Sequence, residues 1–414
     1  MYEVSQLNKV KTFYNKFINA PKRASIDLKV ELLNNTLIHT IQFGKLGLRV
    51  LVSGNNSNNF KPLVVNYDKW YNSLNSITKG TKEVEISTID GNLSINNQNI
   101  LLSFPSKSGK VDWKKLATLN SEAIDNAICI NNVCNTNGKL SCNSKAFFSL
   151  EDNKLKIINT NDIILQESVI HEAEMEVEDF IFAINNDYVS NMKKWFICAN
   201  KDSMNVTIYK YGSFIKFTYI SYEDILYEMI VPIEYGVDIT NIYNTLNTLI
   251  NQKWIGIKVE LDESDMYQVA VEESIAELIN SGKKISKRTL KKELDEFTKN
   301  TNKIDAFKKL DTKTIDVPFL SLANSIGEKN VYILRTLYQN YISAISEFDY
   351  FVYYLNTKTK ALIFGHSDEM FSFKTLFMLR KPKEIIAEIS NEDLEDIEQE
   401  EFIETQEDDI FEPT

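Results

Sequence analysis

The sequence predicts an α+β protein in which amphipathic helices pack on antiparallel sheets in tandem modules. Two patterns predict this class. Short segments alternate apolar and polar residues, as half-buried strands do, and a helix followed by such segments recurs at intervals of roughly 120 to 130 residues. A chain of 414 residues holds about two to four domains of the usual size, so each module can bury its own core.

The repeat has two clear copies and a third, weaker one. In each copy, apolar residues at helical spacing precede strands, and turns such as the one at Gly212 separate those strands. The helical segments are 65–77, 183–195 and 315–326; the strands after them are 84–88 and 93–96, then 205–209 and 214–219, then 330–334, 351–355, 361–364 and 373–379.

A related half-unit of helix and strands precedes these copies. Leu7, Val10, Phe13 and Phe17 share one helical face in the first of them. The predicted half-units have helices over 5–17 and 121–128, with strands over 26–32, 36–41 and 47–52 and over 146–150 and 154–158.

Two half-units make one module, and polar stretches at 105–110 and 235–237 mark the boundaries. We therefore predict modules over residues 1–110, 111–235 and 236–383.

The net charge of -12 is concentrated at the C-terminal end of the sequence. Residues 384–414 contain 14 acidic residues and no Lys or Arg, which leaves 46 basic and 44 acidic residues in the preceding part. Such an acidic run buries too little apolar surface to offset its ordering entropy. We predict a nearly neutral body followed by a disordered acidic tail over 384–414.

Composition argues against several classes of protein. No apolar run approaches the ~18 residues of a membrane span, and the first residues lack the apolar core of a secretory signal. Four cysteines at positions 129, 134, 142 and 198 do not form a disulfide framework. We expect a cytoplasmic protein without membrane contact.

Catalytic motifs are incomplete. His171 begins a zinc-protease pattern, but Met175 stands where the second histidine is required. The spacing of Cys129, Cys134 and Cys142 lacks paired C-x2-C knuckles, although three thiols with one distant ligand stay open as a zinc site. We expect no enzymatic activity, no metal and no cofactor.

The order of helices and strands resembles that of the DNA polymerase sliding clamps, whose bacterial form repeats such a module three times per chain. Residues 153–165 resemble the strand and turn of a clamp module, and residues 376–380 resemble its terminal strand. The resemblance extends over residues 1–383, but 275–309 depart from it because they have the pattern of basic helices. It implies a closed ring of modules, formed as a head-to-tail homodimer, around duplex DNA.

Basic residues recur on the predicted helices. A ring that slides must attract phosphates without making base-specific contacts, and long lysine side chains suit that task. The alternative is that these are ordinary solvated helix faces. The candidate DNA-binding residues are Lys9, Lys11, Lys16, Lys69, Lys193, Lys194, Lys287, Arg288 and Lys291.

Two aromatic pairs occupy corresponding points of the repeated helices: Trp70 with Tyr71, and Trp195 with Phe196. Stacking on single-stranded bases is one interpretation. Packing of each helix on its own sheet is the interpretation we favour.

The resemblance also implies a groove between the second and third modules that binds a partner peptide. Residues 406–411 resemble the short peptides by which partners dock on clamps, so the tail could compete for the same groove. The candidate partner-binding residues are Ile163, Leu165, Pro232, Phe377, Met378 and Leu379 in the groove, and Gln406, Ile410 and Phe411 in the tail.

The sequence thus favours a sliding clamp that tethers a DNA polymerase to duplex DNA, assisted by a clamp loader and closed by self-association. One alternative is a replication or transcription accessory protein that binds a clamp or polymerase through its acidic tail. A virion or structural interaction protein is a third.

Overall fold

The computed structural model describes most of the first 235 residues and parts of the region after 318. The described residues are 1–18, 25–55, 59–77, 81–97, 99–106, 111–133, 145–160, 164–177, 179–235, 319–321, 332–356 and 360–379. The basic segment 275–309 and the acidic tail 384–414 lie outside them. No helix within the described ranges is long and apolar enough to cross a membrane.

Helices and antiparallel strands make up the described parts of the chain. The helices are α1 (Val4–Asn15), α2 (Tyr67–Ile77), α3 (Ser121–Val133), α4 (Asn186–Asp202) and α5 (Arg335–Ile345). The strands are β1 (Tyr2–Glu3), β2 (Asp27–Leu33), β3 (Thr36–Phe43), β4 (Leu46–Ser53), β5 (Phe60–Asn66), β6 (Glu83–Val84), β7 (Ile86–Ile89), β8 (Asn92–Ile95), β9 (Asn99–Leu101), β10 (Phe104–Pro105), β11 (Lys114–Asn120), β12 (Lys145–Glu151), β13 (Lys154–Thr160), β14 (Ile164–Ile170), β15 (Ala173–Met175), β16 (Phe180–Asn185), β17 (Asn205–Tyr211), β18 (Phe214–Ile220), β19 (Leu226–Pro232), β20 (Phe319–Ser321), β21 (Tyr332–Leu334), β22 (Phe351–Asn356), β23 (Lys360–Ser367) and β24 (Phe371–Met378).

The predicted repeat is visible as a strand that continues directly into a helix, followed by antiparallel strands. Asparagine ends that strand before three of the helices. The side-chain oxygen of Asn66 accepts a hydrogen bond from the backbone N–H of Lys69 at 3.1 Å. That of Asn120 accepts from the backbone N–H groups of Glu122 and Ala123, both at 3.0 Å. That of Asn185 accepts from the backbone N–H of Asp187 at 2.8 Å. These bonds satisfy backbone donors that a helix leaves free at its start, so each cap fixes the residue at which strand becomes helix.

The chain divides into two compact units. The first comprises Met1–Asn161, Gln166–Leu246 and Ser367–Phe373, and the second comprises Asp162–Leu165, Asn247–His366 and Lys374–Thr414. Within the first unit a ten-stranded sheet has the order β10-β5-β2-β3-β4-β19-β18-β17-β11-β15. Its β4 and β19 pair directly across the predicted boundary near residue 110, with Val50 opposite Tyr227. The limits of the three modules remain a prediction.

Three helices pack on the same face of this sheet. Directly opposed residues of antiparallel strands point to one face, and His39, Val50, Tyr227 and Tyr219 form one such row across four strands. The rings of Trp70 (α2) and His39 lie 5.7 Å apart, those of Phe13 (α1) and Tyr227 4.8 Å, and those of Trp195 (α4) and Tyr219 4.9 Å. Helices α1, α2 and α4 therefore form one layer.

In the second unit, α5 packs on strands β22, β23 and most of β24. The ring of Tyr341 lies 4.8 Å from that of Phe377 and 5.4 Å from that of Phe364. The prediction of a helix over 315–326 is wrong at its centre, because Phe319–Ser321 form β20 and the helix is Arg335–Ile345. Leu337, Tyr338, Tyr341 and Ile345 are buried at helical spacing, and their periodicity was the signal that the sequence prediction missed.

Candidate nucleic-acid interface

The helical layer carries an excess of lysine on its solvent side. Helix α1 buries Val4, Leu7, Val10, Phe13 and Tyr14 and leaves its lysines toward solvent. Lys9, Lys16, Lys69 and Lys194 are exposed, whereas Lys11 and Lys193 are half-buried. Within their bounds, helices α1, α2 and α4 contain six lysines and three aspartates, a net charge of +3. The two residues that flank α1, Glu3 and Lys16, leave this net charge unchanged.

Some of these lysines already have partners within the first unit. Lys9 forms an ion pair with Glu223, and Lys16 Nζ donates to Cys198 Sγ at 3.2 Å. Among the described residues, Lys11, Lys69 and Lys194 have no ion-pair partner. Their charge is therefore available to a polyanion.

Helix α3 departs from the basic pattern. Its only charged residues are Glu122 and Asp125. The carboxylate of Asp125 accepts from the amide of Asn200 on α4 at 3.1 Å, and burial raises the pKa of Asp125. This helix contributes packing with α4 rather than positive charge, so the lysine surface is confined to α1, α2 and α4.

On the opposite face of the ten-stranded sheet, two basic side chains share one buried carboxylate. Glu228 accepts from Arg49 Nη1 at 2.7 Å and from Lys216 Nζ at 2.9 Å. Lys216 also lies over the rings of Tyr209 (4.7 Å) and Trp113 (4.9 Å). The positive charges of this cluster are therefore engaged within the protein.

The aromatic pairs on α2 and α4 are core residues. Trp70 and Trp195 have no exposed surface, and Tyr71 and Phe196 are equally buried. Packing of the helix on its sheet is confirmed, and stacking on single-stranded bases is excluded for these side chains in this conformation.

The candidate groove residues fall in different environments. Leu165 is buried and lies in the second unit, as do the half-buried Met378 and Leu379. Phe377 is fully buried beneath α5 and has no surface to offer a partner in this conformation. Pro232 is half-buried in the first unit, opposite Phe214 of β18. The remaining predicted residues, Ile163, Lys287, Arg288, Lys291, Gln406, Ile410 and Phe411, lie outside the described ranges.

One exposed apolar surface was not predicted from the sequence. Ile100, Leu102 and Phe104 are 54%, 67% and 62% exposed, while the intervening Leu101 and Ser103 are buried. Strand β9 is the outer strand of the three-stranded sheet β7-β8-β9. The sequence did offer a signal, because apolar residues at 100, 102 and 104 share one face of an extended segment whose other face already has Leu101 to bury.

The thiol groups have ordinary surroundings. Cys129 donates to the carboxylate of Asp125 at 3.4 Å, and Cys198 donates to the carbonyl of Lys194 at 3.1 Å. Cys134 and Cys142 lie outside the described ranges. Within those ranges, no three His, Cys, Asp or Glu side chains converge as metal ligands would.

No protein-family model matches this sequence, and no curated protein sequence does either. Solved structures do match. A Helicobacter pylori β clamp bound to a DNA ligase peptide is 12% identical, with a TM-score of 0.55 over 92% of this chain and 99% of that one. The DNA polymerase III β subunit of Thermotoga maritima (10% identity, TM-score 0.55) and the DNA polymerase sliding clamp of Bacillus subtilis (10%, 0.56) each cover 92% of this chain and 98% of their own. The chain has the sliding-clamp fold.

Proposed function

We propose that this protein is a DNA sliding clamp, a ring that encircles duplex DNA and keeps a polymerase on its template. The observation that carries the proposal is the lysine surface, defined as the solvent side of α1, α2 and α4, on a chain with the sliding-clamp fold. Phosphate attraction is largely independent of sequence, so lysines on regular helices hold the duplex without fixing its register.

Ring closure is the second part of the proposal. An outer strand with unpaired backbone groups and exposed apolar side chains invites pairing with another chain. The surface formed by Ile100, Leu102 and Phe104 on β9 and beside it has this character. We infer that a second copy of the chain covers it, through its third module, in a head-to-tail homodimer.

The proposed activity is topological rather than chemical. Once the ring is closed, release requires an interface to open or a DNA end to arrive, so a bound polymerase stays near its template. A clamp loader would open the ring during assembly on closed DNA. No catalytic group is needed for any of these steps.

A partner groove is proposed in the second unit. Met378 and Leu379 supply apolar surface there, with the buried Leu165 and Phe377 beside them in the same unit. A short peptide gains most of its affinity from one or two large side chains inserted into such a groove.

The double change Met378→Ala and Leu379→Ala should weaken binding of a polymerase-derived peptide about tenfold or more, as measured by fluorescence anisotropy. Unchanged affinity would remove these residues from the groove.

The lysine surface can be tested by charge reversal. Lys69→Glu combined with Lys194→Glu should weaken binding to a short duplex and reduce the salt dependence of affinity, because fewer phosphates are neutralised. Lys45→Glu, in the exposed turn between β3 and β4, is the control for one charge reversal and is compared with Lys69→Glu and Lys194→Glu taken singly. If the control weakens binding equally, net charge rather than this surface is responsible.

Encirclement needs its own test. Protein loaded on nicked circular duplex should survive gel filtration with the DNA and be lost after a restriction enzyme linearises the circle. Equal retention on linear and circular DNA would contradict a ring.

A further inference from the structure

We propose that the acidic segment 384–414 docks on the lysine surface of α1, α2 and α4 and competes there with DNA phosphates. The inference rests on the proposed function, because it assigns a second occupant to the surface that holds DNA.

Among the described residues, charge complementarity favours this surface. The segment has 14 acidic residues and no basic one. Helices α1, α2 and α4 carry six lysines and three aspartates, and Lys11, Lys69 and Lys194 have no ion-pair partner among the described residues. On the other face of the sheet, Arg49 and Lys216 share the carboxylate of Glu228, and the side chain of Lys216 is largely buried. The helical side is therefore the more attractive surface for a polyanion.

The segment is a weaker polyanion than DNA. An extended chain advances about 3.3–3.6 Å per residue, so 14 acids in residues 384–414 give one carboxylate per ~7–8 Å when extended. One strand of duplex DNA has a phosphate every ~3.4 Å along the axis. The segment can occupy the lysine surface when DNA is scarce and yield it when a duplex arrives.

The chain that follows the described residues is long. Residues 380–414 follow the last described residue, Leu379, and span up to ~115–125 Å when extended. A tethered ligand acts at an effective concentration of about 1 mM. If the free segment binds with a Kd near 0.1 mM, at the weak end of non-specific electrostatic binding, occupancy lowers DNA affinity about tenfold.

The salt dependence of DNA affinity should reveal this competition. Docking of the segment is itself weakened by salt, so the competition disappears as ionic strength rises. The slope of log affinity against log salt should consequently be shallower for the wild-type chain than for a chain with an uncharged segment.

The experiment compares two full-length variants with the wild type. In the neutral variant every Asp between 384 and 414 becomes Asn and every Glu becomes Gln; in the scrambled variant the same residues are reordered. Binding to a short duplex is measured by fluorescence anisotropy from low to high salt. We expect about tenfold tighter binding for the neutral variant at low salt, convergence at high salt, and wild-type behaviour for the scrambled variant.

A labelled peptide with the sequence 384–414 tests docking directly. It should bind the neutral variant, be displaced by duplex, and lose affinity when Lys69→Glu and Lys194→Glu are added, but not when Lys45→Glu is added. Relief by scrambling as well as by neutralisation would overturn charge-based docking in favour of a specific motif such as Ile410 with Phe411. Absence of peptide binding overturns the inference while leaving the clamp intact; absence of DNA binding by every variant overturns the proposed function as well.

Discussion

Glu228 and Arg49 join β19 to β4, with Glu228 Oε2 accepting from Arg49 Nη1 at 2.7 Å. The second carboxylate oxygen accepts from Lys216 at 2.9 Å, and the Glu228 side chain is almost fully buried. This hydrogen bond links two neighbouring strands, one from the first predicted module and one from the second. It is therefore a candidate determinant of how rigidly those modules are joined.

Removing this carboxylate should destabilise the protein. Glu228→Ala leaves Arg49 and the largely buried Lys216 without a counter-charge, for which we expect a loss of about 3 kcal/mol in the free energy of unfolding. Urea denaturation measures it. The control Glu223→Ala removes the exposed partner of Lys9 and should cost less than about 1 kcal/mol. Equal losses would mean that burial does not govern the contribution of these ion pairs.

The buried His39 predicts a loss of stability in acid. Burial lowers its pKa to about 3, whereas the unfolded chain binds the same proton near its usual pKa of about 6.5. Above pH 6.5 both states are neutral at this residue. As the pH falls below 6.5 only the unfolded state gains the proton, so stability should decline by up to about 1.4 kcal/mol per pH unit until the folded pKa is reached.

The variant His39→Phe tests this origin. Phenylalanine retains ring packing against Trp70 and Tyr71 but cannot bind a proton. The difference in unfolding free energy between pH 7.5 and 5.5 should shrink by about 1 kcal/mol in this variant. Ile208→Val, a small change at a buried position on β17 that removes no titrating group, should leave that difference unchanged. The assignment fails if both variants behave alike.

Trp195 should act through packing alone. Its ring has no exposed surface and lies against Phe196 at 5.1 Å and Tyr219 at 4.9 Å. We expect Trp195→Ala to cost about 3–5 kcal/mol and Trp195→Phe to cost less. DNA affinity of the folded Phe variant should match wild type, as measured by anisotropy at matched salt. Weaker binding without loss of stability would restore the stacking interpretation.

Charge at the β9 surface should dissociate the proposed ring. Leu102→Asp with Phe104→Asp places two carboxylates where a partner chain would be packed, so the native mass should fall from that of two chains to that of one. Analytical ultracentrifugation gives the mass. Ile220→Asp changes another exposed apolar side chain, 58% exposed at the end of β18, and should leave the mass unaltered. A wild-type monomer would contradict ring closure by self-association.

Periodicity was enough to predict much of the local structure. The expected helices over 5–17, 65–77 and 183–195 correspond to α1, α2 and α4, and the expected strands over 205–209 and 214–219 to β17 and β18. The burial of Trp70 and Trp195 was also predicted, because a bulky apolar side chain at the same point of a repeated helix has a sheet to cover. In the predicted third module, Phe319–Ser321 form β20 at the centre of the helix expected over 315–326, since a short apolar run fits either structure.

The sequence by itself determined the repeat, the identity of the core aromatics and the separation of charge between body and tail, because each depends on neighbours along the chain. Only the tertiary structure decided that Val50 lies opposite Tyr227, that α1, α2 and α4 share one face, and that Arg49 meets Glu228. Strand pairing is chosen by contacts between residues far apart in sequence, and period-two alternation shows which face a residue takes but not which strand lies beside it.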